Sequence, residues 1–279
     1  MKSIDFKSKK RVVIKVGTNS LTHPNTGFLD YVKIERLVME LCNLKNTGRD
    51  VVLVTSGAIA TGRQTLDIKK NDESVAKKQA LAAVGQARLM SIYEKFFFEF
   101  NQIAAQVLLT RKTVIGTKGY DNAVNTFNEL FLMNAIPIVN ANDTISTFEI
   151  RFGDNDTLSA IVADLIKADL LVLLTDIDGL YDSNPKKNKD AKLIPLVEKI
   201  TDTHFEIASS ETGSDLGTGG MKTKLRAGKI ATSKGMDMVI ASGMDMRIIS
   251  DIFNNDFVGT SFLANKDINF DMASFISEE

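Results

Sequence analysis

Cysteine is almost absent: Cys42 is the only one in 279 residues. No intrachain disulfide can form, and no cysteine cluster can hold zinc. Cys42 falls on the apolar stripe of an expected helix, which makes it a core filler. Histidine is nearly as scarce. His23 and His204 lie far apart without metal-ligand spacing and read as loop or surface residues. Two histidines do not by themselves exclude a Ser-His-Asp mechanism, but no G-x-S-x-G elbow accompanies them. A charge of one sign is missing too. With 34 basic and 35 acidic residues the net charge is -1, so nothing in the overall field attracts nucleic acid or a membrane surface. An anionic ligand must be held by local groups. Long apolar runs are also lacking, and the stretch at 170–175 is far too short to span a bilayer. The opening MKSIDFKSKKR is basic but has no apolar core or small-residue cleavage site. The expectation is a cytoplasmic chain.

What is present is an ordinary globular composition, 44% apolar and 25% charged, with strands and helices in alternation. Strands are predicted at 11–16, 51–55, 103–109, 136–140, 170–175, 238–241 and 259–263. Helices are predicted at 31–46, 73–100 (one or two, with a break near Gly85), 119–133, 153–166 and 219–234. Residues 144–152 have the composition of a hairpin. This order predicts an α/β fold: an open, mainly parallel sheet sandwiched between helices. One compact domain is expected over 1–279, with two lobes dividing near residue 168.

Several strand ends run into small, hydroxylic or acidic residues: Gly17-Thr18-Asn19, Thr55-Ser56-Gly57-Ala58, Asn140-Ala141-Asn142-Asp143 and Thr175-Asp176. In open parallel sheets ligands bind at the carboxyl ends of strands, and four such turns point to a crevice. Lys15, inside a β-branched strand, is either a solvent-face lysine or a cation aimed at a phosphate. The run Gly217-Thr218-Gly219-Gly220-Met221-Lys222-Thr223-Lys224 is not a Walker A motif, because Met221 stands where the glycine before the lysine belongs. It is still a Gly-rich turn entering a helix, whose N–H groups and dipole favour an anion. Gly153-Asp154-Asn155-Asp156 can cap the next helix, but a cap explains one acidic residue and not three polar residues in a row. Asp176-Ile177-Asp178-Gly179 lacks the spacing of a calcium loop; an Asp there suits a ribose hydroxyl or an adenine-side group. Phe96 to Phe98 and the methionines at 236, 238, 244 and 246 read as core, with an oligomer contact open for the Phe run.

Taken together, V-I-K-V-G-T (13–18), V-T-S-G-A-I-A (54–60), G-D-N-D-T-L-S-A (153–160), L-L-T-D (173–176), G-L-Y (179–181) and G-T-G-G-M-K-T-K (217–224) resemble the amino-acid kinase family, in that family's order. The likeness runs from about residue 10 to residue 264. K-Q-A-L-A-A-V-G-Q-A-R-L (78–89), Q-V-L-L-T-R (106–111) and N-A-N-D-T (140–144) are most like the branch that phosphorylates the side-chain carboxylate of L-glutamate. The resemblance implies ATP as co-substrate, with Mg²⁺ held mainly by its phosphates. It implies L-glutamyl 5-phosphate as product, in the first step of proline biosynthesis. An amino-acid-binding lobe (about 10–168), a nucleotide-binding lobe (about 169–264) and a short tail follow from it, without the C-terminal PUA domain of longer members. A homo-oligomer and feedback inhibition by proline are also implied. By motif position Lys15 and Lys224 match two catalytic lysines, and Asp156 the aspartate that orients them. Lys15, Thr175, Asp176, Thr218, Gly219, Gly220, Met221, Lys222, Thr223 and Lys224 match the nucleotide site, and Ser56, Asp143 and Asn155 the glutamate site. Lys222 departs from the pattern, standing where a small hydroxyl residue is common, and Arg151 stands where a lysine can occur.

The residue types suit such chemistry. A carboxylate nucleophile, with a free pKa of about 4.3, needs no general base at neutral pH. Two anions brought into line need cations between them, a role open to Lys15 and Lys224. A buried substrate ammonium needs an acceptor, for which Asp143 is the candidate. Enzymes of the same fold acting on acetylglutamate, carbamate, aspartate or a nucleoside monophosphate, and a non-catalytic binding protein, are the alternatives.

Overall fold

The structure, a computed structural model, describes residues 3–69, 73–110, 118–145, 155–185, 187–210 and 220–277. Among them an eight-stranded sheet has the order β3-β4-β2-β1-β5-β7-β8-β6. The strands are β1 (Arg11–Val16), β2 (Asp50–Val54), β3 (Ala104–Leu109), β4 (Ile136–Ala141), β5 (Leu170–Thr175), β6 (Leu196–Val197), β7 (Asp237–Ser242) and β8 (Gly259–Phe262). Every pairing is parallel except β7 with β8. The α/β fold with a mainly parallel sheet is therefore the one observed.

The central strands are apolar on both faces because helices cover both. Odd and even residues of β1 point to opposite layers. Val12, Ile14 and Val16 meet the layer of α2 (Tyr31–Asn46) and α4 (Val75–Glu99), through Ile34, Leu37, Leu41, Leu89, Tyr93 and Phe97. Val13 meets the layer of α5 (Lys118–Leu132), α6 (Asn155–Leu165) and α8 (Met221–Ser233), through Phe127, Leu158, Ile161, Leu225 and Ile230. Each such side chain removed from water contributes about 1.5–3 kcal/mol. Cys42 is buried in the first layer, and burial pushes its thiol up to about 12, as suits a core filler. Asp30 and Ser74 cap α2 and α4 by accepting from Lys33 N and Lys77 N.

The helix over 73–100 is one piece, not broken at Gly85. That glycine serves a close approach instead. A Cβ on Gly85 would lie 1.8 Å from the Ala58 carbonyl oxygen, and one on Gly62 would lie 2.0 Å from that of Leu81. The two glycines let α3 (Ala58–Thr65) settle directly against α4. Helices α1 (Thr18–Leu21), α3, α7 (Asp202–Ser210), α9 (Ile248–Asn254) and α10 (Met272–Ser277), and the two-residue β6, were not expected from the pattern. The proposed hairpin at 144–152 falls almost wholly outside the described residues, as do Arg151, Thr218 and Gly219. No helix among the described residues is long and apolar enough to cross a membrane.

β1 sits at the switch point of the sheet. From it the chain passes to β2, β4 and β3 on one side, and to β5, β7, β8 and β6 on the other. Such a reversal leaves a crevice beyond the carboxyl ends of the strands.

Candidate active site

Lys15 takes its place in β1 on the same face as Val13, where an apolar residue would continue the core. It is buried, and its ammonium lies 2.6 Å from Asp156 Oδ1. Asp156 stands in the first turn of α6, where a helix favours negative charge. Its second oxygen, Oδ2, is 3.2 Å from the ammonium of Lys224, which α8 brings from the other half of the sheet. Thr223 Oγ1 lies 2.9 Å from the same Oδ2 and 2.8 Å from the carbonyl of Gly220; its single hydroxyl proton can serve one of them at a time.

Burial alone would push the Asp156 carboxyl up. The ammonium groups of Lys15 and Lys224 outweigh it and hold the carboxyl well below the usual carboxylate range. The ionised carboxylate thus fixes two cations side by side at the crevice. Gly17, just after β1, lies beside the Lys15 ammonium: a Cβ there would sit 3.7 Å from Nζ, an ordinary van der Waals contact. At α8 the N-cap is Gly220, which offers no side-chain cap to the first-turn N–H groups.

A second cluster lies at the ends of β2 and β4. Asn155, beside Asp156, directs Nδ2 at the Thr55 carbonyl (2.9 Å), Ser56 Oγ (2.8 Å) and Asn140 Oδ1 (3.2 Å). Asn140 in turn donates from Nδ2 to Gln86 Oε1 at 2.8 Å. Gly57 follows Ser56 with φ +104°, a left-handed conformation that glycine adopts without strain. Asp143 is half-buried in the turn after β4.

A third group lies at the end of β5. Thr175 is buried and donates from Oγ1 to Asp176 Oδ1 at 3.1 Å, while Asn19 Nδ2 donates to Asp176 Oδ2 at 3.1 Å. Burial would push the Asp176 carboxyl up, but the Asn19 and Thr175 hydrogen bonds, with the nearby Lys224 charge, hold it below its ordinary value.

The structure therefore brings Lys15, Asp156, Thr223 and Lys224 into direct contact, and Ser56 to Asn155. Met221 is a buried core residue of α8. Lys222 is the sequence candidate that the geometry sets apart. It is exposed, and with Asp202, Phe205, Glu206, Arg226 and Phe275 it lines a separate cavity of about 620 Å³. Helical geometry explains this, since residues two apart lie on nearly opposite faces. Gln86 has no site role in the sequence reading, and Asn19 and Asn140 enter it only as members of strand-end turns at the crevice. The signal for Gln86 was a lone amide on the otherwise apolar stripe Leu81, Ala82, Gly85, Leu89.

The family model described as "Amino acid kinase family" matches residues 10–242. The chain belongs to that family. It is 48% identical over 265 residues to a glutamate 5-kinase of Clostridium perfringens, covering 94% of this chain and 98% of that one. To a glutamate 5-kinase of Clostridium acetobutylicum it is 51% identical over 253 residues, 91% of this chain and 94% of the relative. Among solved structures, carbamate kinase from Giardia lamblia bound to AMP-PNP superposes with a TM-score of 0.62 at 18% identity, covering 94% of this chain and all (100%) of that one. UMP kinase from Ureaplasma parvum gives 0.59 at 15% identity, covering 91% and 99%. These two share the fold of this amino-acid kinase.

Proposed function

We propose that this amino-acid kinase transfers the γ-phosphoryl group of ATP to the side-chain carboxylate of L-glutamate. The product is L-glutamyl 5-phosphate, and the reaction opens proline biosynthesis. The observation that carries the reading is the buried Asp156 carboxylate shared by Lys15 and Lys224, at the crevice of a chain about half identical to glutamate 5-kinases.

Phosphoryl transfer asks a protein mainly for position and charge. ATP enters as its Mg²⁺ complex, the metal held on the phosphates. Each Asp156 oxygen is engaged by one of the two lysines, so this carboxylate serves as their holder. Lys15 and Lys224 stabilise charge on the transferring phosphoryl oxygens. Lysines held beforehand reorganise little during the reaction, which is where electrostatic catalysis gains most. The glutamate carboxylate is ionised at neutral pH and attacks without a general base. Thr175, Asp176 and residues 218–221 belong to the nucleotide side, with the uncapped start of α8 suited to a phosphate. Ser56, Asp143 and Asn155 belong to the amino-acid side, which assigns 10–168 to glutamate and 169–264 to ATP. A homo-oligomer in the cytoplasm, inhibited by proline in competition with glutamate, completes the reading.

The test is ADP release with glutamate, acetylglutamate, aspartate, carbamate and UMP offered separately. Glutamate is expected to give the highest kcat/KM. Faster turnover of any other acceptor overturns the assignment.

A further inference from the structure

Gln86 lies on the buried face of α4, only 9% exposed. Its orientation is decided by backbone groups two residues away in a chain of amides. The Ala141 N–H, which can only donate, gives its hydrogen to Asn140 Oδ1 at 2.9 Å. Asn140 must therefore turn Nδ2 towards Gln86, and Gln86 must meet it with Oε1, at 2.8 Å. At the other end the Thr55 carbonyl, which can only accept, draws Asn155 Nδ2 to 2.9 Å. Asn140 Oδ1 lies 3.2 Å from that same Nδ2, whose two hydrogens it shares with the Thr55 carbonyl and with Ser56 Oγ at 2.8 Å. The amide of Asn155 is thereby fixed with its NH₂ turned inward and its Oδ1 turned the opposite way, as an acceptor.

This polarity leaves Gln86 Nε2 buried with no partner among the described residues. An orphaned buried donor is costly. Packing of α4 alone does not call for an amide here, since a methionine of similar volume would fill the same space; what it would lose is the acceptor for Asn140 Nδ2. The orphan is tied to the other end of the amide, where Oε1 holds Asn140.

We propose that Gln86 is a positioning residue of the amino-acid site. Through Asn140 it holds Asn155 with an acceptor presented to the substrate, which selects an acid that brings a donor, such as an α-ammonium group. The inference rests on the reading of Asn155 as a substrate ligand.

Gln86→Met keeps the volume and removes the acceptor. Its glutamate KM is expected to rise about three- to tenfold, the loss of one neutral hydrogen bond, while the ATP KM stays within about twofold, the scale on which weak coupling is neglected. In an Asn155→Ala background the same substitution adds almost nothing to the glutamate KM, because residues acting in series are not additive. Gln86→Glu is assayed at pH 6, where burial keeps a carboxyl protonated and able to accept from Asn140; its glutamate KM stays near that of the unmutated chain. An unchanged glutamate KM in Gln86→Met, an equal rise in the ATP KM, or a full effect persisting without Asn155 overturns the proposal. Should Gln86→Met fail to fold, a threefold or larger rise in Gln86→Glu does so instead. ADP release by the unmutated chain with glutamate is measured first. Its absence defeats the substrate assignment itself, a different outcome from normal turnover with an inert Gln86.

Discussion

A single carboxylate, Asp156, organises the residues that matter most. It is 1% exposed and engages two ammonium groups, each itself buried. Removing either lysine takes away charge that counts most when the phosphoryl group is in flight. Lys15→Ala and Lys224→Ala should therefore each lower kcat by a hundredfold or more, on the order seen for lost electrostatic donors, with a smaller change in glutamate KM. Steady-state kinetics with both substrates varied decides it, and near-normal kcat with only a raised KM removes the lysine from the catalytic role. Asp143→Asn preserves shape and removes charge. The glutamate KM should rise by about ten- to a hundredfold, the loss of a hydrogen bond to a charged group worth roughly 1.5–3 kcal/mol, with the ATP KM unmoved. An unaltered glutamate KM excludes Asp143 from the site. Lys15 and Asp156 were legible because each is a charge where the local pattern wants an apolar residue or a mere cap. Gln86 and Asn140 were harder to see, since one buried amide in a long helix and one at a strand end gain meaning only when β4 and α4 are brought together.

Among the elements, the strand runs were the most legible. The run at 170–175 coincides with β5, because five apolar residues flanked by polar ones have one good solution in a covered sheet. The run at 259–263 was seen as a strand, yet nothing in four residues could reveal that β8 runs antiparallel to β7. α3 was hidden for another reason: its segment Ala58–Thr65 contains Gly62 and three residues of low or middling helix propensity, so the local signal is weak. Its stability comes from α4, against which it lies through Gly62 and Gly85. That makes Gly85 a sharp test. As a helical residue, Gly85→Ala would gain about 1 kcal/mol on propensity alone. The contact says otherwise, because the new Cβ would meet backbone at 1.8 Å, and forced overpacking costs about 1–3 kcal/mol or more. A lower thermal midpoint is expected, together with a raised glutamate KM as Ser56 and Gly57 shift. A gain in thermal stability would show that α3 and α4 have room to part.

For the whole molecule, the ionisable groups inside the fold predict where in pH it is most stable. Asp156, buried in the fold, and Asp176, exposed at the end of β5, are held below their ordinary value of 3.8 in the folded chain. As pH falls past that value the unfolded chain takes up protons that the folded chain still refuses, so stability present at neutral pH drains away on the acid side. Cys42 works in the opposite direction, raised from 9.0 to about 12 by burial. The unfolded chain releases that thiol proton above pH 9 while the folded chain keeps it, and stability drains away there as well. Tyr93, fully buried and also pushed up by burial against the opposing hydrogen bond with Thr55, adds to the alkaline side. Between the two limbs a plateau from about pH 5 to about pH 8 is expected. Urea midpoints measured at pH 3.5, 7 and 10 should be highest at pH 7. Cys42→Val should flatten the alkaline decline and leave the acid one unchanged, since the two limbs belong to different groups. A midpoint at pH 3.5 equal to that at pH 7 would mean that Asp156 is not held ionised by Lys15 and Lys224, and the geometry on which the catalytic reading stands would fall with it.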